Sequence, residues 1–94
     1  MAHYSLKTIK ELIVKKKYFV TLSARQNYTA LGLNDDEVLE VIEKLTAKHL
    51  YKSMTSYANH TIWHDVYHSK YKKIELYIKL QVNENAIIIS FKEK

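Results

Sequence analysis

The stretch IELYIKLQVNENAIIISFKEK, residues 74–94, decides the fold because apolar and polar side chains alternate along both of its halves. In the first half, 74–82, every second residue is isoleucine, leucine or valine, and the residues between them are Glu75, Tyr77, Lys79 and Gln81. The second half, 86–94, divides into one face with Ile87, Ile89 and Phe91 and another with Ile88, Ser90, Lys92 and Lys94. A period of two indicates a β-strand with one buried face. The two halves therefore predict a β-hairpin that turns around NENA.

The register of this hairpin is expected to bring two polar side chains together. Pairing one apolar face with the other restricts the register to steps of two residues. A loop closed on Glu84 and Asn85 sets Tyr77 directly opposite Lys92, and a slip of two residues would leave them diagonal neighbours. One polar sheet face is then expected to carry Tyr77, Lys79, Ser90 and Lys92.

The residues before Leu50 favour helices, because apolar side chains recur there at helical spacing. The clearest helix start is Asn34, which is followed by Glu37 at the position that completes a capping box. A short β-favouring run, YFVTL (18–22), separates the first two helices. The three predicted helices are one over 5–16 capped by Ser5, one capped by Ser23 that ends at Gly32, and one from Asn34 to about Ala47.

This order of elements predicts an α+β fold, in which three N-terminal helices pack on one face of a mostly antiparallel sheet and the other face stays polar and open. The chain has 94 residues and is 47% hydrophobic, which is enough for one core and too little for two. We therefore predict a single domain over 1–94.

Composition narrows the class of function. The absence of cysteine excludes disulfides, thiol catalysis and thiolate metal sites, and it fits a reducing compartment. No apolar run approaches the roughly 18 residues of a membrane span, and the first residues lack the features of a signal peptide, so we expect a cytoplasmic protein without a membrane partner. Fifteen Lys and Arg against ten Asp and Glu give a net charge of +5, which favours nucleic acid or an acidic protein as partner.

The histidines and acids do not predict a metal site. His60, His64 and His68 would share a face of a helix, but their β-favouring neighbours indicate a strand, along which four residues span about 13 Å, too far for one zinc ion. We predict no metal or other cofactor, and surface positions for His60 and His68. Asp65 is expected to form a salt bridge or to orient His64.

Two blocks, YKSMTSYANHTIWHDVY (51–67) and SFKEK (90–94), strongly resemble the motility quorum-sensing regulator (MqsR) family, toxins of a bacterial type II toxin–antitoxin system. The resemblance covers the second half of the chain closely and the helical half only in the order of its elements. It implies a RelE-like fold and a metal-independent endoribonuclease that cleaves mRNA, an mRNA interferase. It also implies neutralisation by a cognate antitoxin that binds DNA and autoregulates its own operon.

The resemblance further implies which residues form the site. The lysine of the first family block falls on Lys52, the strand tyrosine on Tyr77 and the lysine of the terminal block on Lys92. The residue after Trp63, a glutamine in the family, is His64 here, so this position either hydrogen-bonds RNA or titrates. Further RNA contacts are predicted for Tyr51, Lys79, Ser90 and Lys94.

RNA cleavage without a metal uses the 2′-hydroxyl as nucleophile on the neighbouring phosphate. The protein must then remove one proton, donate another and stabilise a phosphorane. Lys52 and Lys92 suit the last task, because lysine is protonated at neutral pH. Tyr77 could donate to the phosphate or to the leaving 5′-oxygen. His64 is the candidate acid or base, since imidazole titrates at about pH 6.5.

The alternative function is a non-catalytic module that binds RNA or a protein partner. Its aromatic side chains, Tyr51, Tyr57, Trp63 and Tyr67, would stack on bases while the lysines hold phosphates. Trp63 and Tyr67, however, share one face of a strand, and we expect both of them in the core.

Overall fold

The computed structural model describes residues 1–94 as three α-helices packed against a five-stranded sheet. The helices are α1 (Leu6–Val14), α2 (Leu22–Ala30) and α3 (Asp35–Glu43). The strands are β1 (Tyr18–Val20), β2 (Leu50–Thr55), β3 (Trp63–Tyr71), β4 (Ile74–Asn83) and β5 (Asn85–Glu93). A short 3₁₀ helix, Ala47–His49, leads into β2. Each α-helix has nine residues, well short of the length and apolar character of a bilayer-spanning helix.

The strand order is β1-β5-β4-β3-β2, and only the pairing of β1 with β5 is parallel. The predicted α+β class, with helices on one face of a mostly antiparallel sheet, is confirmed. Helical residues such as Ile9 and Ile42 join Leu76, Ile78 and Phe91 of the sheet in one buried cluster. This core fixes the orientation of β4 and β5, so that their alternate side chains point away from the helices.

The helix starts at Ser5 and Asn34 are confirmed. The Ser5 hydroxyl accepts from Thr8 N–H at 3.4 Å. The Asn34 side chain accepts from Glu37 N–H at 2.8 Å, and Glu37 accepts in return from Asn34 N–H at 3.1 Å. These reciprocal bonds satisfy two of the N–H groups that a helix start leaves free.

Three other helix boundaries were predicted wrongly. The cap of α2 is Thr21 and not Ser23, because Thr21 is the extended residue at the end of β1 and its hydroxyl accepts from Ala24 N–H at 3.1 Å. Helix α1 ends at Val14, just before Lys16 adopts a positive φ of 60°. Helix α3 ends at Glu43, short of Ala47, which instead starts the 3₁₀ helix.

The β4–β5 hairpin has the predicted Tyr77–Lys92 pair but not the predicted loop. Asn83 pairs with Asn85, so the chain turns on Glu84 alone, which has a positive φ of 63°. This loop shifts the register by one residue, and an irregularity between Lys79 and Leu80 on β4 shifts it back. The extra residue lies on β5 at Ile89, since Leu80 pairs with Ile88 and Lys79 with Ser90.

The bulge at Ile89 also changes which β5 side chains are buried. Ile87 and Ile89 were predicted to share the core face with Phe91, yet the buried residues are Ala86, Ile88 and Phe91. A bulge places one extra residue on its strand, so the alternation of faces reverses across it. Ser90 and Lys92 keep the open face that was predicted for them.

Asp65 neither forms a salt bridge nor orients His64, the two functions that were expected from the sequence. Its carboxylate is fully buried and accepts from the backbone N–H groups of His3 at 3.0 Å and Tyr4 at 2.7 Å, and from the Ser53 hydroxyl. It therefore ties the N-terminal segment to β3, on the side of the sheet away from His64. No Lys or Arg side chain pairs with it.

The two aromatic residues expected in the core differ in burial. Tyr67 is fully buried and belongs to the core cluster. Trp63 lies at the first position of β3, is only partly buried, and stacks on the His3 ring with 4.9 Å between centroids. The prediction is confirmed for Tyr67 and wrong for Trp63, which packs on His3 of the N-terminal segment and lies outside the core cluster.

Candidate active site

The open face of the sheet carries most of the predicted site residues in two neighbouring rows that run across the strands. The row through Tyr77, called here the Tyr77 row, consists of Tyr51, His68, Tyr77 and Lys92. The next one, the Lys79 row, consists of Lys52, Val66, Lys79 and Ser90. Neighbouring strands lie about 4.8 Å apart, and same-face residues along a strand about 6.8 Å apart, so the two rows form one continuous surface.

Tyr77 lies between two ammonium groups. Lys92 Nζ is 5.1 Å from the centroid of the Tyr77 ring and Lys79 Nζ is 5.8 Å from it. Both distances fall within the range of a cation–π contact. Lys92 is the direct cross-strand partner of Tyr77 on β5, so the backbone pairing itself holds the lysine beside the phenol.

Tyr51 and Lys52 reach the open face together because β2 contains a second bulge. Leu50 pairs with Tyr67 and Lys52 pairs with Val66, which leaves Tyr51 as the extra residue. Leu50 packs against the core, whereas Lys52 is exposed. Tyr51 stacks on the His68 ring with 4.1 Å between centroids and 16° between planes, and Lys52 Nζ is 5.5 Å from the Tyr51 centroid.

Long side chains cover the middle of this face. Val66 is fully buried although it lies outside the core cluster, and its cross-strand partners are Lys52 and Lys79. Lysine packs its methylene groups on apolar surface and keeps its ammonium group in water, so we expect the aliphatic stems of these two lysines to contribute to this burial. The charged ends are thereby held above a fixed support.

The remaining predicted contacts lie at the edges of the two rows. Ser90 is the partner of Lys79 and is half-buried. Lys94 follows the end of β5, and its backbone N–H donates to the Glu75 carbonyl oxygen at 2.8 Å. The charge of Lys94 lowers the pKa of His68, a member of the Tyr77 row.

His64 lies one row further from Tyr77 than Lys79 does. Its Nε2–H donates to the Gln81 amide oxygen at 3.1 Å, and His64 and Tyr77 have no ring contact. Burial of the ring lowers the pKa of His64 below its usual value; the hydrogen bond to Gln81 opposes this shift and the charge of Lys79 adds to it. His64 therefore lies on the same open face as the Tyr77 row and the Lys79 row, but outside the cluster of side chains around Tyr77.

The three histidines do not converge on one point. His60 is exposed in the connection between β2 and β3, and His64 and His68 occupy separate rows. No group of three His, Cys, Asp or Glu side chains is close enough to hold a metal ion. The prediction that His68 is a solvated surface residue is wrong, because it is half-buried and stacked on Tyr51.

The lysines of the two rows have no carboxylate partners. The three salt bridges of the molecule join Arg25 to Asp35, Lys44 to Glu40 and Lys72 to Glu37, and all involve helix α3 or its start. Asp65 is buried on the opposite side of the sheet. Glu75 is the one carboxylate on the open face beside the Tyr77 row, and no lysine of the two rows pairs with it. The unpaired lysines suit a phosphate-binding surface.

This surface is flat, and its shape restricts the kind of substrate. The molecule has four surface pockets, which are lined mainly by residues of the helices, of β1 and of the N-terminal segment. Leu50 and Tyr67 line one of these pockets. None includes Lys52, Tyr77 or Lys92. Small-molecule sites are usually concave, whereas an extended nucleic acid strand can lie across an open basic sheet.

Sequence reasoning missed His68. It is the β3 partner of Tyr77, and its ring lies 5.9 Å from the Tyr77 ring. The four-residue spacing of His64 and His68 indicated one strand face for both, but it did not say which face. The pairing of β3 with β4 was the missing information.

Two comparisons with known proteins bear on the function of this face. Residues 1–93 match the family described as "Motility quorum-sensing regulator, toxin of MqsA". The chain is also 40% identical over 92 residues to the mRNA interferase toxin MqsR of Escherichia coli (strain K12), an alignment that covers 98% of this chain and 94% of that protein. The similarity thus includes the helices, the two bulged strands and the open face.

Proposed function

The chain belongs to the motility quorum-sensing regulator toxin family, and from this membership we propose that it is an mRNA interferase whose cleavage centre is the Tyr77 row with its flanking lysines. The observation that carries the location is the position of Tyr77 beside Lys79 and Lys92 on a flat face whose lysines form no salt bridge. The family membership carries the activity, endonucleolytic cleavage of RNA.

We propose that the reaction is an internal attack that needs no metal. The RNA 2′-hydroxyl attacks the adjacent phosphorus, and a pentacoordinate phosphorane with added negative charge forms. Lys52 and Lys92 stabilise that charge as fixed cations on a rigid surface, which is the largest effect in many such reactions. Tyr77 donates its phenolic proton to the leaving 5′-oxygen. The products are a 2′,3′-cyclic phosphate and a 5′-hydroxyl.

The groups around this centre hold the RNA. Lys79 and Lys94 contact phosphates on either side of the scissile one, and Ser90 donates a hydrogen bond beside Lys79. Tyr51, which is 57% exposed, offers its free side to a base. His64 contributes as an RNA contact through the His64–Gln81 pair, a function that a glutamine at this position can also serve.

Membership of this toxin family also suggests where the protein acts and which partner regulates it. We propose a RelE-like domain over residues 1–94 that acts on mRNA in the cytoplasm, where its substrate is made. A cognate antitoxin neutralises it, and that antitoxin also binds DNA and regulates the operon that encodes both proteins. The unpaired lysines of the open face favour both an RNA substrate and an acidic inhibitor.

The exposure of two tyrosines supports the second candidate function, a non-catalytic RNA-binding module. Tyr57 is 98% exposed and Tyr51 is 57% exposed, so both are free to stack on bases. Tyr67 is excluded from that task because it is buried, and burial and the Asp65 charge raise its pKa to about 12. An aromatic surface of this kind binds RNA without cleaving it when no proton donor is present.

Incubation of the purified protein with a long RNA in EDTA distinguishes the two functions. The proposed function predicts shortened RNA with cyclic-phosphate or 3′-phosphate ends, because attack by the internal 2′-hydroxyl leaves phosphate on the upstream fragment. RNA that is retarded on a gel but intact supports the binding module. Fragments with 3′-hydroxyl ends, or cleavage that EDTA abolishes, would overturn the metal-independent mechanism.

A further inference from the structure

The imidazole of His68 lies in the centre of the candidate site, yet the proposed cleavage reaction gives it no function. The His68 ring lies between two tyrosines of the Tyr77 row and is stacked on one of them. Tyr51 lies parallel to it at 4.1 Å with 16° between planes, and Tyr77 is tilted against it at 5.9 Å with 44° between planes. His68 is also the backbone partner of Tyr77 across β3 and β4.

His68 differs from His64 in the availability of its ring nitrogens. The Nε2 atom of His64 is bonded to Gln81, whereas the imidazole of His68 contacts its neighbours through its ring faces and makes no side-chain hydrogen bond. Stacking fixes the plane of the ring and leaves its nitrogens, which lie in that plane, free to meet a substrate hydroxyl.

The charges around His68 favour its neutral form. Ionisable groups surround it on the open face: Tyr51 and Lys52 on the neighbouring β2, Glu75 and Tyr77 on the neighbouring β4, and, one strand further, Lys92 on β5 with the adjoining Lys94. Burial lowers the pKa of His68 below its usual value of 6.5, the charges of Lys94 and Lys52 lower it further, and Glu75 acts in the opposite direction. At neutral pH the ring is therefore ready to accept a proton.

We propose that His68 is the general base of the reaction and takes the proton of the attacking 2′-hydroxyl. This proposal rests on the proposed function and completes it, since Tyr77 and the lysines supply a proton donor and charge stabilisation but no base. Tyr51 then acts as a positioning residue, which holds the imidazole by stacking on the side away from Tyr77.

In this step one residue of the Tyr77 row, His68, accepts a proton and another, Tyr77, donates one. The bond between the 2′-oxygen and phosphorus forms as the 2′-hydroxyl proton moves to His68, and the bond from phosphorus to the 5′-oxygen breaks as Tyr77 gives its proton to that oxygen. The RNA leaves as a 2′,3′-cyclic phosphate and a 5′-hydroxyl. Transfer of a proton from the His68 imidazolium to the Tyr77 phenolate, through solvent, restores the enzyme.

The test is steady-state cleavage of a short RNA between about pH 5 and 9 by four proteins. A base of this kind is worth about 10²-fold or more in rate. The proteins are the wild type, His68→Gln, His68→Phe and the control His60→Gln. His68→Phe keeps an aromatic ring for Tyr51 to stack on but cannot accept a proton. His60 is exposed outside both rows, so its variant carries the same chemical change at a neutral position.

We expect both His68 variants to lose about 10²-fold or more in kcat while KM for His68→Phe stays within a few-fold. Wild type and His60→Gln should both lose activity as the pH falls through the pKa of His68, which lies below the usual 6.5, and the His68 variants should lack that acid limb. Thermal unfolding of each variant checks that the fold is intact.

Two results would overturn the assignment. An acid limb that persists in His68→Gln assigns the titration to another group, and a variant that raises only KM makes His68 an RNA-stacking residue. In either case the wild type still cleaves, and the proposed function stands. If the wild type leaves RNA intact, the proposed function and this assignment fail together.

Discussion

Tyr77 and Lys92 form the pair on which the proposed chemistry depends. Their side chains meet across two strands on the open face, and neither belongs to the core cluster. Changes that remove only the phenolic hydroxyl or only the ammonium group therefore separate chemistry from folding.

We expect Tyr77→Phe and Lys92→Ala each to reduce RNA cleavage by about ten-fold or more, within the 10²–10⁴ range of positioned proton donors and oxyanion contacts. Their melting temperatures should stay close to that of the wild type, because both side chains lie outside the core. The measurement is specific activity beside a thermal unfolding curve. A variant that loses several degrees while it keeps its specific activity would show that the residue is structural.

His64 is the position at which the chain departs from the family blocks that it otherwise resembles. Its ring is held by Gln81 and lies in a different row from Tyr77. We expect His64→Gln to keep the shape of the pH–rate profile, since an amide preserves hydrogen-bonding capacity but does not titrate. Loss of the acid limb in this variant, with a large fall in rate, would make His64 the proton-transfer group and contradict the assignment of the base to His68.

Asp65 is a buried anchor whose loss should affect stability and not chemistry. Asp65→Ala leaves the N–H groups of His3 and Tyr4 and the Ser53 hydroxyl without their acceptor. We expect the free energy of unfolding to fall by about 2–4 kcal/mol, and by about 1 kcal/mol in the control Ser53→Ala, which removes one donor. Denaturant unfolding measures both values. Equal stability of Asp65→Ala and wild type would show that the N-terminal segment is not held by this carboxylate.

At the scale of elements, the sequence patterns predicted the sheet faces of β4 but not the irregularities that complete the site. Alternation in 74–82 placed Tyr77 and Lys79 on the open face. The bulges at Tyr51 and Ile89 have no local signal, because each depends on how a neighbouring strand packs. The tight loop at Glu84 and the bulge at Ile89 compensate for one another, which is why the predicted Tyr77–Lys92 pair was right although the predicted loop was wrong.

The two-residue turn between β3 and β4 also could not be predicted from the sequence. Lys72 and Lys73 both adopt positive φ, 49° and 72°, the conformation that Asn-Gly normally signals in a two-residue hairpin. Without that signal, the pairing of β3 with β4 could not be predicted. The position of His68 beside Tyr77 depends on this pairing.

Thr21 connects helix α2 to the bulge on β5. Its hydroxyl accepts from Ala24 N–H at 3.1 Å and donates to the Ile89 carbonyl oxygen at 2.9 Å. We expect Thr21→Val, which keeps the shape and removes the hydroxyl, to lower the free energy of unfolding by about 1–2 kcal/mol. Thr21→Ser should lose much less.

Ser23→Ala provides the control for Thr21→Val, because sequence reasoning had assigned the cap to Ser23. It should change stability by less than about 0.5 kcal/mol, as surface substitutions usually do. Urea unfolding of the three variants decides between the two caps. A larger loss for Ser23→Ala than for Thr21→Val would contradict the cap that the structure shows.

At the scale of the whole molecule, charge is divided between the two sides of the sheet. All three salt bridges lie on the helical side, and the lysines of the open face are unpaired. The lysines of the open face therefore present charge that no salt bridge neutralises. A polyanion that binds there releases counterions, so its affinity depends on salt.

The salt dependence of RNA binding should identify which lysines touch phosphate. We expect Lys79→Ala and Lys94→Ala each to reduce the slope of log Kd against log salt by about 0.7, the value for one phosphate contact to a single strand. Lys44→Ala removes the same charge from helix α3, where Lys44 pairs with Glu40 at 3.8 Å, and it should leave the slope unchanged. Titration with an RNA that has 2′-O-methyl groups measures binding without cleavage, since the nucleophile is blocked. Equal slopes for all four proteins would mean that RNA is attracted by net charge alone, whereas a reduced slope only for Lys44→Ala would move the RNA to the helical side and remove the open face as the site.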